Sequence, residues 1–219
     1  GIWYNIEDAK NTISQIEQYL ACVYELLVAS LDQLMKTSST AGRTEGDHES
    51  ASARIKEYAN EIRKLVNGAN YNGRRLLKDH GNGSTGNAGS TDSAVHTIIF
   101  RVANHRGFVR NVVNTMNDFT ISIPSVGPTA LGLNDYETGG LNSWGDIVTN
   151  ADEEGVDSPD SPGDDNVDST ITDYNNAIKL VGVEFDKMKT YRFLLCGREK
   201  QIKIWKNGQD ICFNHKCKI

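Results

Sequence analysis

The sequence predicts a mainly α-helical protein with a small β region, built as an elongated antiparallel helical shaft with a β-hairpin subregion. Three observations predict it. Small or apolar residues alternate at steps of three and four near the start of the 219-residue chain, a second such series lies near its end, and short β-branched runs lie between them. Series of this kind are typical of long helices packed lengthwise on partner helices. Two long helices from opposite ends of a chain are expected to lie side by side and antiparallel.

The first series places a helix at about residues 5–36. It comprises Ile6, Ala9, Ile13, Ile16, Leu20, Val23, Leu27, Ser30 and Leu34. A second helix is predicted to begin near residue 46 and to end at Asn67-Gly68, and Asn72-Gly73 makes a further tight turn. Leu76 and Leu77 are then expected to anchor the chain back onto the shaft.

The middle of the chain has strand chemistry at residues 96–102 and 119–123, and these two runs could pair. Residues 131–133 are expected to make another buried contact, and residues 139–168 form an acidic loop that contains Gly and Pro. A last helix is predicted from about residue 169 to 205. Its series comprises Tyr174, Ile178, Val181, Phe185, Met188, Arg192, Leu195, Glu199 and Ile202.

This pattern divides the chain into three parts. Residues 1–79 form the N-terminal shaft helices, residues 80–168 a β-hairpin region with a variable acidic loop, and residues 169–219 the C-terminal shaft helix with a divergent tail. Charge is uneven along the chain, because residues 111–178 contain 13 acidic residues and no Lys or Arg. The basic residues form no continuous stripe with interleaved aromatics, which argues against nucleic-acid binding. No stretch of 18 apolar residues predicts a membrane span.

Six short pieces of the chain follow one another in a particular order. They are NIEDAK at 5–10, EI at 61–62, ANYNG at 69–73 with Leu76 and Leu77, FRVANHRG at 100–107, ISIP and ALGL at 121–124 and 130–133, and YR at 191–192 with Leu195 and Ile202. In this order they resemble the rod-shaped core domain of bacterial flagellin. The resemblance implies a structural subunit of the flagellar filament that serves motility, is extracellular, and has no catalytic activity.

The resemblance also implies partners. They are other flagellin-like subunits, an export chaperone, the flagellar export apparatus and the innate immune receptor for flagellin. The family's long terminal coiled-coil segments have no counterpart in this chain, so weak self-association is expected. Two alternatives stay open: a hook–filament junction protein, which shares the helical shaft, and a secreted adhesin or receptor-binding module built on such a shaft.

The outer face of the first helix is the candidate functional surface, because in flagellins it packs against neighbouring subunits and meets the receptor. Residues 27–36 read LVASLDQLMK where the family reads LQRMRELAVQ. The candidate contact residues are Val28, Ala29, Leu31, Asp32, Gln33 and Lys36. Ala29 and Leu31 replace two arginines of the family, so weak receptor binding is expected. The simpler interpretation is that these residues are only the surface and seam of a helix.

Other chemistry is weakly indicated. HExxH, GxSxG and P-loop motifs are absent, so no enzyme and no cofactor are predicted. The acidic residues 157–168 fail the EF-hand pattern, and Cys212, His215 and Cys217 supply three soft ligands without a fourth. Cys22 and Cys196 are expected to lie near each other if the two seams align, although two separate thiols are favoured over a disulfide.

Overall fold

The computed structural model describes residues 2–38, 45–79, 97–102, 118–128, 130–133 and 162–216. These residues form three helices and two small antiparallel sheets, so the prediction of a mainly α protein with a small β region is confirmed. The elements are α1 (Ile2–Ser38), α2 (Glu45–Gly68), β1 (Asn70–Tyr71), β2 (Arg74–Arg75), β3 (Thr97–Arg101), β4 (Asp118–Ser122) and α3 (Pro162–Lys216).

The first predicted seam is the central core of the protein. All nine of its residues, from Ile6 to Leu34, are at most 1% exposed, and α1 packs against both α2 and α3. Helix α2 begins seven residues after the end of α1, and the turn that follows α2 contacts Asp8 near the beginning of α1. Because α1 contacts a neighbour on each side, its seam is wide enough to bury Ser30 along with the apolar residues.

Helices α1 and α3 are antiparallel, as predicted. Lys10 Nζ lies 2.8 Å from Glu199 Oε2, and Arg192 Nη2 lies 2.9 Å from Glu17 Oε2. Farther along, the buried Ser30 of α1 lies beside the buried Tyr174 of α3. Residue numbers therefore fall along α3 as they rise along α1, which is the signature of an antiparallel pair.

The second predicted seam is correct in part. Tyr174, Val181, Met188 and Leu195 are buried, whereas Arg192 is exposed and ion-paired at the edge of the helix pair. Three other seam residues are half-buried, namely Ile178, Phe185 and Glu199. The side chain of Ile202 lies outside the described part. A residue of α3 is buried where another element packs against it. At Arg192 the neighbouring carboxylate of Glu17 favours a charged side chain at the rim.

The predicted limits of α3 were too narrow at both ends, since the helix runs from Pro162 to Lys216. Residues 162–168 therefore belong to the helix and not to the acidic loop. Pro162 misled the prediction, because proline breaks a helix interior but is favoured in the first turn, where its missing N–H has no intrahelical acceptor. The remainder of the predicted loop, residues 139–161, lies outside the described residues.

The tight turn after α2 forms as predicted. Asn72 and Gly73 have φ angles of 50° and 73°, the left-handed conformation that a two-residue hairpin turn requires. The turn is fastened to α1, because Arg74 Nη1 lies 2.7 Å from Asp8 Oδ2 and Asn72 Nδ2 donates to Asp8 Oδ1 at 3.2 Å. Leu76 and Leu77 are both fully buried, so the expected anchor is present.

The paired strands β3 and β4 contact both β2 and helix α3. Strands β3 and β4 pair in the expected way, with Phe100 opposite Phe119. The Arg74 guanidinium lies 4.9 Å from the centre of the Phe100 ring, and that of Arg198 lies 5.8 Å from the centre of Phe119. The Tyr191 ring meets Phe119 edge-on at 6.1 Å. Cation–π and aromatic contacts thus connect the hairpin to β2 and to α3.

The Tyr174 hydroxyl makes the stability of the shaft sensitive to alkali. Burial raises the pKa of Tyr174 far above its ordinary value, while Ser30 opposes the shift only slightly. Below about pH 10 the side chain is neutral in both states and contributes no pH dependence. Above that pH the unfolded chain releases the proton first, so stability is lost as pH rises toward the folded pKa.

We therefore expect Tyr174→Phe to reduce the alkaline destabilisation of the protein. Between about pH 10 and pH 12 the native chain should lose up to about 1.4 kcal/mol per pH unit more than the variant. Urea titrations at several pH values measure this difference. Tyr24→Phe, at a partly exposed position of α1, is the control and should keep the native pH dependence; equal alkaline losses in native protein and Tyr174→Phe would contradict the assignment.

Candidate subunit-contact surface

The six candidate residues of α1 do not share one exposed face. Successive residues of an α-helix are about 100° apart around its axis, so a run of consecutive positions surrounds it. Val28, Asp32 and Lys36 are exposed at successive four-residue steps. Ala29 and Gln33 are half-buried, and Leu31 is half-buried against the core.

An exposed apolar stripe follows the side of α1 that carries Val28. Tyr24, Val28 and Met35 are between 40 and 53% exposed, and Leu31 forms the inner edge of the row. These four residues, the α1 stripe, have the spacing four, three, four. The sequence analysis missed Tyr24 and Met35, although the signal was present as a second series offset from the buried seam.

The α1 stripe has acidic residues on its outer side. Glu25 and Asp32 are exposed, and Asp32 Oδ2 lies 2.6 Å from Lys36 Nζ one turn away. Glu25 makes no ion pair with another described residue. A pair between exposed side chains such as Asp32 and Lys36 contributes little to stability, about 0.3–0.5 kcal/mol.

Toward the beginning of α1, ion pairs join α1 to α3. Arg192 binds both carboxylate oxygens of Glu17, and Lys10 joins Glu199 to Glu7. The hydrogen bond to Lys10 lowers the pKa of Glu199, and the same bond raises the pKa of Lys10. This ion pair lies near the beginning of α1, where the α1 stripe is absent.

Helix α3 carries a second exposed apolar group on its outward side. Leu180, Val183, Phe193 and Leu194 are between 45 and 79% exposed, but their spacing of three, ten and one residues spreads them over about 140° of the helix surface, so they form no single row. Val183 follows the buried Val181 by two residues, which turns it about 200° away from the core. The shallow groove beside Val183 is lined by Asp186, Lys187, Thr190 and Tyr191.

The two cysteines considered as a pair are not bonded. Cys22 and Cys196 are both free and exposed, so they are two separate thiols, which the sequence favoured over a disulfide. The ion pairs of Glu17 with Arg192 and of Lys10 with Glu199 place Cys22 about level with residue 187 of α3. That is nine residues from Cys196, or roughly 13 Å along the axis, which argues against the expected proximity.

The described residues contain no group of three or more His, Cys, Asp or Glu side chains arranged to hold a metal ion. Nor does any helix within the described ranges combine the length and apolar character that crossing a membrane requires. The segments with Cys212, His215 and Cys217, and with the acidic residues 139–161, have no described side chains. Comparison of the chain with protein-family models and with curated proteins finds no match.

Proposed function

We propose that this protein is a structural, self-associating subunit of the flagellin type, which builds an extracellular bacterial flagellar filament and serves motility. One observation carries the proposal: a long antiparallel helix pair has a continuous buried seam and, outside it, an apolar stripe on α1 that faces solvent. The order of short segments that resemble the flagellin core supports it independently.

The exposed α1 stripe favours a structural role. A scattered apolar surface residue needs no explanation, but a row at helical spacing is typical of surfaces that meet another protein. The α1 stripe extends over about three helical turns. A straight apolar row suits lateral packing of rod-like subunits, in which a helix meets a neighbouring helix along its length.

The proposal includes the partners that the flagellin type implies. The subunit would leave the cell through the flagellar export apparatus with the help of an export chaperone. Binding to the innate immune receptor for flagellin would be weak, because Ala29 and Leu31 offer none of the bidentate hydrogen bonds of a guanidinium. A reporter-cell response equal to that of an ordinary flagellin would contradict this part.

Gold labelling of whole cells tests the proposed function. Antibodies raised against residues 45–79, which include exposed surface of α2, would be applied to cells of the source organism and viewed by electron microscopy. Label along entire filaments, lost when the gene is deleted, supports the proposal. Label confined to a short band at the hook would indicate a junction protein, and label on the cell body alone would indicate an adhesin; both would contradict it.

The chain by itself is expected to associate only weakly. The α1 stripe offers only a few side chains, and interfaces that bury less than about 1,200 Å² are generally weak or transient. Sedimentation velocity at micromolar concentration should therefore show a monomer as the dominant species. Long, stable filaments of the 219-residue chain under these conditions would contradict the expectation.

A further inference from the structure

We propose that Asn72 is a site of spontaneous deamidation, that two hydrogen bonds slow the reaction in the folded protein, and that loss of the amide frees the tight turn after α2 from α1. The modification needs no enzyme and no cofactor, only water. The inference does not depend on the proposed function, because it follows from the pair Asn72-Gly73 and from the groups that bind it.

An asparagine followed by glycine is the pair in which deamidation is easiest. The backbone nitrogen of Gly73 can attack Cγ of Asn72, because glycine has no side chain to obstruct the approach. The new N–Cγ bond closes a succinimide ring, the Cγ–Nδ2 bond breaks, and the amide leaves as ammonia with the proton of the Gly73 nitrogen. Water then opens the ring at either carbonyl and gives an aspartate or an isoaspartate, so one water is consumed for each ammonia released.

The fold engages both groups that take part in ring closure. The Gly73 N–H, which must lose its proton for the nitrogen to attack, donates to Asn70 Oδ1 at 3.1 Å. Asn72 Nδ2, which belongs to the leaving amide, donates to Asp8 Oδ1 at 3.2 Å. Asn72 and Gly73 are both exposed, so water and base can reach them. The reaction is therefore open to solvent but waits for two hydrogen bonds to break.

Loss of the amide changes what Asp8 meets. An aspartate at position 72 has no N–H to donate, and it brings a second carboxylate to the place where Nδ2 now lies 3.2 Å from Asp8 Oδ1. Two carboxylates this close repel each other. An isoaspartate also adds one carbon to the backbone of a two-residue turn, so Tyr71 can no longer stay opposite Arg74. Either product weakens the attachment of the turn to α1.

Peptide mapping tests whether the fold slows the reaction. The 219-residue chain is incubated at mildly alkaline pH, folded in buffer and unfolded in urea. Trypsin cuts after Lys64 and Arg74, and tandem mass spectrometry of the peptide between them separates Asn72 from Asn67 and measures how fast each amide is lost. We expect the rate at Asn72 to be lower in the folded protein by at least about tenfold, since both hydrogen bonds must open before the ring closes.

Two variants separate the effect of the turn from general effects. Asn70→Ala removes the acceptor of the Gly73 N–H and should raise the rate in the folded protein by about threefold or more, with no change in urea. Asn60→Ala removes an exposed asparagine side chain of α2 and should change neither rate. Equal rates in folded and unfolded protein would overturn the proposal, and so would an amide that is never lost from folded Asn70→Ala.

Hydrogen exchange tests the consequence of the modification. Asn72→Asp reproduces the aspartate product and should raise amide exchange of β1 and β2 severalfold, together with that of Leu76, whose N–H donates to Ala69 O at 3.0 Å. Asn60→Asp adds the same charge at an exposed position of α2 and should leave this exchange unchanged. Equal protection of the turn in Asn72→Asp and in the native protein would show that the amide does not hold the turn on α1.

Discussion

Leu20→Ala is expected to lower the free energy of unfolding by about 2–5 kcal/mol, one of the two largest effects that we predict. Leu20 lies at the middle of the α1 seam and is fully buried. Removing its isobutyl group forfeits the transfer free energy of the lost atoms and leaves a cavity that two rigid neighbouring helices cannot fill. Urea denaturation followed by circular dichroism measures the change. Val181→Ala, on the facing helix, should also destabilise.

The matched control lies two turns away on the same helix. Val28→Ala removes apolar atoms from the α1 stripe, where the side chain is 40% exposed, and should change stability by less than about 0.5 kcal/mol. If Leu20→Ala and Val28→Ala shift the denaturation midpoint equally, the seam is not the core of the protein.

Gly127→Ala is expected to destabilise by about 1–3 kcal/mol or more, since it forces an overpacked contact. Gly127 lies where the chain after β4 crosses the end of the segment that follows β2, and its N–H and that of Val126 both donate to Lys78 O. A Cβ at this position would lie 2.6 Å from Asp79 Cβ and overlap the carboxyl group as well. The backbone of one segment must therefore move, and rotation of a flexible side chain cannot relieve the clash.

Another glycine provides the control for this prediction. Gly182 lies inside α3 and has no atom within 4 Å of the place where a Cβ would lie. Gly182→Ala should stabilise by up to about 1 kcal/mol, because alanine loses less backbone entropy than glycine in a helix. The double variant Gly127→Ala, Asp79→Gly removes the colliding side chain and should regain part of the lost stability. Equal melting temperatures of Gly127→Ala and native protein would show that the segments do not approach so closely.

The sequence was sufficient for α1 and for the hairpins. Alternating steps of three and four identify one face of a helix, and burying that face is the largest favourable term available to it, so the whole Ile6–Leu34 series is buried. Asn72-Gly73 and the β-branched runs carry local signals of equal strength. In these places local preference and tertiary packing agree, which is why the pattern alone predicts the structure.

The sequence was insufficient where the position or exposure of a residue depends on another element of the fold. Arg192 fits the helical period of its seam, yet its position beside Glu17 places it at a charged rim. The separation of Cys22 from Cys196 depends on the axial register of α1 and α3, which the ion pairs fix and which no single-helix pattern reveals. Exposure also depends on neighbours: of the six candidates between Val28 and Lys36 only Val28, Asp32 and Lys36 are exposed, and Tyr24 and Met35, which the pattern did not single out, are exposed as well.

Spin-label distances between the two ends of the chain test the antiparallel α1–α3 shaft most directly. In a cysteine-free background, one label at the exposed Glu7 is combined with a second label at either Lys203 or Lys179, and double electron–electron resonance gives the two distances. The shaft predicts a short Glu7–Lys203 distance and a Glu7–Lys179 distance longer by roughly 25 Å, since 24 residues of helix place the two positions on α3 about 36 Å apart and the two helix axes lie about 10 Å apart. A shorter distance to Lys179 than to Lys203, or equal broad distributions for both pairs, would contradict it.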